Sequence, residues 1–127
     1  MKQNIKQANL NIKLKDLFHR WLEITTTFHH LTKQEIKVLG LLLYYNYKYK
    51  KEITNERLIW KMVFELETRK LIVKELGITD AVFRNILTKL RKIGVIKDNR
   101  IVKTFIPELG LDSKNFKVIF NFNILHG

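Results

Sequence analysis

No cysteine occurs in the 127 residues. Disulfide frameworks, thiolate-held metals and cysteine nucleophiles are therefore excluded together, which suits a chain that works inside a cell and folds on its hydrophobic core alone. Proline is limited to Pro107 and glycine to five positions, too few for a disordered or fibrous chain, and no linker splits the sequence into domains. Long apolar runs are missing too. The longest, Val38 to Tyr45, falls far short of the roughly 20 residues that span a bilayer. The stretch Met1 to Lys15 scatters Lys, Gln and Asn among its apolar residues instead of gathering an export signal. A soluble cytoplasmic protein with no membrane contact is expected. Acidic residues are scarce: 12 Asp and Glu stand against 24 Lys and Arg, a net charge of +12. A surface that basic attracts polyanions. An AT-rich gene, suggested by the heavy use of Ile, Asn, Lys, Phe and Tyr, explains the lysines equally well. Such composition is common in proteins of phages and mobile elements, and the charge acts on DNA whatever its origin.

Catalytic signatures are also lacking. There is no Gly-rich phosphate loop, no GxSxG elbow, no HExxH pair and no separated carboxylate pair in a recognisable setting, so neither an enzyme nor a cofactor is expected. His29 and His30 are adjacent, and neighbours do not readily face one ion. Without cysteine or an acidic cluster beside them, no metal site is expected.

What the chain does contain is helical periodicity. Leu14, Leu17, Phe18, Trp21 and Leu22 predict a first helix over about Lys13 to Ile24, ended by Thr25-Thr26-Thr27. Thr32 followed by Glu35 has the spacing of a capping box and starts a helix running to about Tyr47. Its centre, Val38 to Tyr45, is apolar around the whole circumference and must be covered on more than one side. The cover is either this chain alone or this chain and a second copy. Between Asn55 and Leu66, the residues Leu58, Ile59, Met62, Val63 and Leu66 share one helical face, with Trp60 and Phe64 on another. Tyr44, Tyr45, Tyr47 and Tyr49 interleave with Lys48, Lys50 and Lys51. That cluster is either a surface for bases and phosphate or a helix end with tyrosines half in the core, the commoner arrangement. From Gly94 onward the period falls to two. Val95-Ile96 before an Asp98-Asn99 turn, Ile101 to Ile106, and Phe116 to Ile124 read as three strands. The fold class is α+β, with residues 1–31 an N-terminal helix for packing or dimerisation and residues 32–127 the main domain.

Arg69 to Leu90 fits a helix-turn-helix with Gly77 in the turn. Ile72, Leu76, Ile78, Phe83 and Ile86 fall where such a motif needs apolar residues to lock its helices together. Gly77 can take the positive φ that ends the first helix, and Thr79 can cap the second. Val73 stands where a smaller residue usually permits close crossing. At 100° per residue, Val82, Phe83, Ile86, Leu87, Leu90 and Ile93 form one apolar arc. Asp80, Ala81, Arg84, Asn85, Thr88, Arg91 and Lys92 form the opposite one. Arg can take guanine O6 and N7, Asn can take adenine N6 and N7, and Thr, Arg and Lys can hold phosphates. Arg84 and Asn85 are the candidates for base edges, with Ala81 letting the backbone approach. The bland alternative is the solvated face of an ordinary amphipathic helix.

These stretches resemble the winged-helix superfamily, in the sense of repressors of the MarR type and of plasmid or phage replication initiators. The likeness covers Leu31 to Ile124 and rests on Leu31-Thr32-Lys33-Gln34-Glu35-Ile36, the turn Glu75-Leu76-Gly77-Ile78-Thr79, and Leu90 to Ile96 leading into a hairpin. It implies that the helix from Thr79 enters a major groove while a wing touches backbone or minor groove. The wing loop expected at Pro107 to Asn115 has Lys114 against Glu108 and Asp112, so backbone contact falls to Arg100 or Lys103 on a strand. A double-stranded DNA binder is expected, dimeric through the first helix and the Val38 to Tyr45 helix, serving as a regulator or replication accessory factor. The alternative is a phage structural or assembly protein, in the virion or on a polymerase, that uses the same fold to bind protein.

Overall fold

The computed structural model describes residues 5–127, so the first four positions of the expected 1–31 segment lie outside the described residues. Helix α1 spans Leu14–Ile24, and a further helical turn, α2, spans Thr26–His29. The threonine run therefore divides two helical pieces, with Thr25 and Thr26 hydroxyls donating back to the carbonyls of Trp21 and Leu22. Helix α3, Lys33–Lys50, starts where its capping box predicts. The Glu35 N–H donates to Thr32 Oγ1 at 3.2 Å, and the Thr32 N–H donates to Glu35 Oε1 at 2.9 Å. This satisfies two of the amides every helix start leaves free.

Helix α3 is the axis of the molecule. Val38, Leu39, Leu41, Leu42, Leu43, Tyr45 and Tyr47 are all buried, which at about 1.5–3 kcal/mol for each fully buried large apolar side chain makes this helix the main source of stability. Its all-round cover comes from within the chain: α1 packs along it, and the later helices close the other sides. The circumference that suggested a second copy is thus accounted for by one. α1 passes close over Gly40, where a Cβ would stand 3.3 Å from the His19 backbone. The tyrosines of α3 belong mostly to the core. The Tyr47 hydroxyl donates to the Gly110 and Leu111 carbonyls, and burial pushes its phenol above the ordinary range. Lys48 and Lys51 lie over the rings of Tyr45 and Tyr47.

Helix α4 spans Glu56–Val63, capped by the Asn55 side chain, and α5 spans Leu66–Leu76. The expected face through Leu58, Ile59, Met62, Val63 and Leu66 turns inward only in part. Ile59, Trp60 and Val63 are buried, whereas Leu58 and Leu66 are exposed. One helical axis from 55 to 66 would align all five, but α4 ends at Val63 and Leu66 begins another helix. Buried Thr68 ties the junction together, donating to the Met62 carbonyl at 2.8 Å and sharing a hydrogen bond with Tyr49.

Helix α6 spans Asp80–Lys92 and leads into strands β1, Ile96–Lys97, and β2, Arg100–Ile101. The strands pair antiparallel, Ile96 with Ile101 and Lys97 with Arg100. Asp98 and Asn99 both have positive φ, 51° and 56°, the signature of the two-residue turn whose twist matches a hairpin. Six helices and a small two-stranded sheet thus make an α+β chain among the described residues.

The two longer strands expected after the turn do not form. β2 stops at Ile101, and Lys103–Phe105 winds into a 3-10 turn instead of continuing to Ile106. Phe105 and Ile106 N–H groups donate to Val102 and Lys103 carbonyls, and the Trp21 indole donates to the Phe105 carbonyl at 2.9 Å. These bonds use groups that a ladder would need, and Pro107 follows with no N–H to offer. Phe116 to Ile124 lies outside any strand, with no backbone hydrogen bond to the described backbone.

A candidate nucleic-acid interface

The turn between α5 and α6 is built as expected. Gly77 has φ 63°, a region costly for a residue with a Cβ. Around it the Gly77 N–H donates to the Lys74 carbonyl and the Ile78 N–H to the Val73 carbonyl, both at 3.3 Å. That pair of bonds is the Schellman ending. Thr79 Oγ1 accepts from the Val82 N–H at 3.1 Å and so caps α6. Of the locking residues, Ile72, Phe83 and Ile86 are buried, while Leu76 and Ile78 are half-buried against the core.

α6 has two chemically distinct sides. Phe83, Ile86, Leu87 and Leu90 are buried and Val82 is half-buried. Ile93, expected on the same arc, is half exposed because it stands at the cap, where the chain turns away toward the hairpin. On the other side Thr79, Asp80, Ala81, Arg84, Asn85, Thr88, Arg91 and Lys92 are all exposed. The hairpin is fixed to the end of α6 by the Val95 N–H, which donates to the Leu90 carbonyl at 2.9 Å. It presents Lys97 and Arg100, both exposed.

Ion pairing sorts these cations. Arg84 Nε lies 3.2 Å from Asp80 Oδ2, and Arg69 reaches the other oxygen of the same carboxylate at 3.7 Å. Arg100 lies 3.9 Å from Glu56 on α4. Lys89 pairs with buried Glu35 and joins α6 to the start of α3. Burial raises the Glu35 carboxyl, but bonds from Lys89 and Thr32 outweigh it and hold the group below its ordinary value. Among the described residues, no carboxylate lies within ion-pair distance of Arg91, Lys92, Lys97 or Lys103. These four cations are therefore unneutralised, as are others elsewhere on the chain, Lys37, Lys61 and Lys70 among them.

Not every candidate keeps its expected part. The Thr88 hydroxyl donates to the Arg84 carbonyl, back onto its own helix, and the Thr79 hydroxyl is committed to the cap. Lys103 sits on the 3-10 turn and not on a strand. The turn between paired strands is Asp98-Asn99, so the acidic stretch Pro107 to Asn115 is not the hairpin loop. Lys97 and the Asp80 clamp were missed. The Asp80–Arg84 spacing of four on a helix signals the clamp, and Lys97 follows from pairing across Asp98-Asn99. His29 is occupied: its Nε2 donates to the Leu22 carbonyl and its Nδ1 accepts from the Leu31 N–H. No helix of the described residues is long and apolar enough to cross a membrane. No family model, curated protein or solved structure matches the chain.

Proposed function

We propose that α5, α6 and the hairpin form a winged helix-turn-helix that binds double-stranded DNA, with α6 in the major groove and the hairpin as a short wing beside it. The protein acts in this reading as a transcriptional regulator or replication accessory factor in the cytoplasm of a bacterial host, of the kind phages and mobile elements encode. The observation that carries it is the exposed polar face of α6, which includes the unpaired cations Arg91 and Lys92, while the opposite face is locked into the core. Asp80 holds Arg84 by Nε, which leaves the two terminal nitrogens as the fork that matches guanine O6 and N7. Asn85 stands next to it for an adenine. Arg91, Lys92, Lys97 and Lys103 supply phosphate contacts, and Arg100 joins them when it leaves Glu56.

Selection from a pool of random duplexes tests this reading. The intact chain enriches a short motif, and Arg84→Ala loses preference at one base position, costing about 1–3 kcal/mol there. A pool that shows no enrichment, or a motif unchanged by Arg84→Ala and Asn85→Ala together, overturns it.

A further inference from the structure

The segment 116–125 has the alternation of a strand and none of its bonds. Phe116, Val118, Phe120, Phe122 and Ile124 share one face, and no backbone group of the segment is hydrogen-bonded to the described backbone. Its first half is anchored. Phe116 meets Trp21 edge to face at 5.9 Å between centroids, and Phe120 stacks on Phe28 at 6.4 Å. Its second half is not: Phe122 is 85% exposed, Ile124 74% and Leu125 93%. Ile119, Phe28 and Leu10 are also largely in water. At about 150–250 Å² for a Phe side chain, Phe122 and Phe28 alone leave a few hundred square ångströms of apolar surface uncovered, to which Ile124, Leu125, Ile119 and Leu10 add, the size of patch that marks an interaction surface. The segment and residues 5–17 together line an open groove of about 1560 Å³.

We propose that a second copy of this chain covers this surface, its own segment 116–125 pairing antiparallel with the first about a two-fold axis at Phe120. In that register Val118 stands opposite Phe122 of the second copy, Phe116 opposite Ile124, and Ile119 opposite Asn121. Lys117, the only charge in the stretch, meets Asn123 and not another lysine. A slip of one residue sets the apolar row against the polar one. The exposed end of each segment then lies beside the anchored half of the other, so Phe122 and Ile124 gain cover next to the partner copy's first helix. The pairing is self-complementary and closes at two copies. It places the interface on the tail, away from α3, and does not depend on DNA binding.

Light scattering of the full chain over a dilution series tests it. The mass expected is twice the 15.2 kDa of one chain, falling to one chain in Phe120→Asp while the helical circular dichroism is unchanged. The absence of cysteine gives a second measurement. Under mild oxidation Phe120→Cys forms a cross-linked dimer, whereas Ser113→Cys, outside the paired stretch, does not. A single-chain mass at every concentration, a dimer unaffected by Phe120→Asp, or open-ended larger assemblies overturns the proposal.

Discussion

Helices α3 and α6 are both rich in apolar residues, yet one is enclosed and the other is half bare. α3 has neighbours on every side and ends in tyrosines that bond to other parts of the chain. α6 buries one arc and turns an uninterrupted polar arc outward. The difference separates what holds the molecule together from what it can touch. Side chains on α3 act through stability, whereas those on the outer arc of α6 are free to be chosen for a ligand.

The sharpest way to break that contrast is to cut into α3. Leu42→Ala empties a fully buried site and is expected to cost about 2–5 kcal/mol in denaturant unfolding. Next comes Gly77→Ala, where no atom lies in the way of the new Cβ but the left-handed backbone costs about 1–2 kcal/mol. A smaller, pH-dependent effect is expected of Glu35. Its carboxyl is held below the ordinary value in the fold, so its contribution is present above the unfolded pKa near 4.5 and is lost as pH falls through the lower, folded one. Glu35→Gln should flatten the acid limb of the stability curve in that window. Least of all, Arg84→Ala and Asn85→Ala should leave the thermal midpoint nearly untouched, within about 0.5 kcal/mol. If either unfolds the protein, the outer arc of α6 is structural and the contrast fails.

Much of this could be read from the residues themselves because the decisive signals are local. Thr32 with Glu35, Gly77 before Thr79, and Asp98-Asn99 each fix a few dihedrals by short-range chemistry, and each is found where expected. The errors come from neighbours that the pattern cannot name. Leu58 and Leu66 look like one face until the helix breaks between them. Ile101 to Ile106 looks like a strand until Trp21, far away in sequence, takes the Phe105 carbonyl. Phe116 to Ile124 alternates faithfully but pairs with no strand of the described residues. At the candidate site, the outer arc of α6 was legible from the 100° period. Asp80's second pair, with Arg69 on α5, depends on how the two helices meet, and the hairpin's cations on which residues pair.

The most direct measurement is the salt dependence of binding to duplex DNA. If Arg91, Lys92, Lys97 and Lys103 engage about four phosphates, the logarithm of the binding constant falls against the logarithm of salt concentration with a slope near −3.6, by about 0.9 for each phosphate. Replacing Lys97 should lower the slope by about one unit. A flat dependence, or no binding at about 50 mM salt, contradicts the assignment of α6 and the hairpin to DNA.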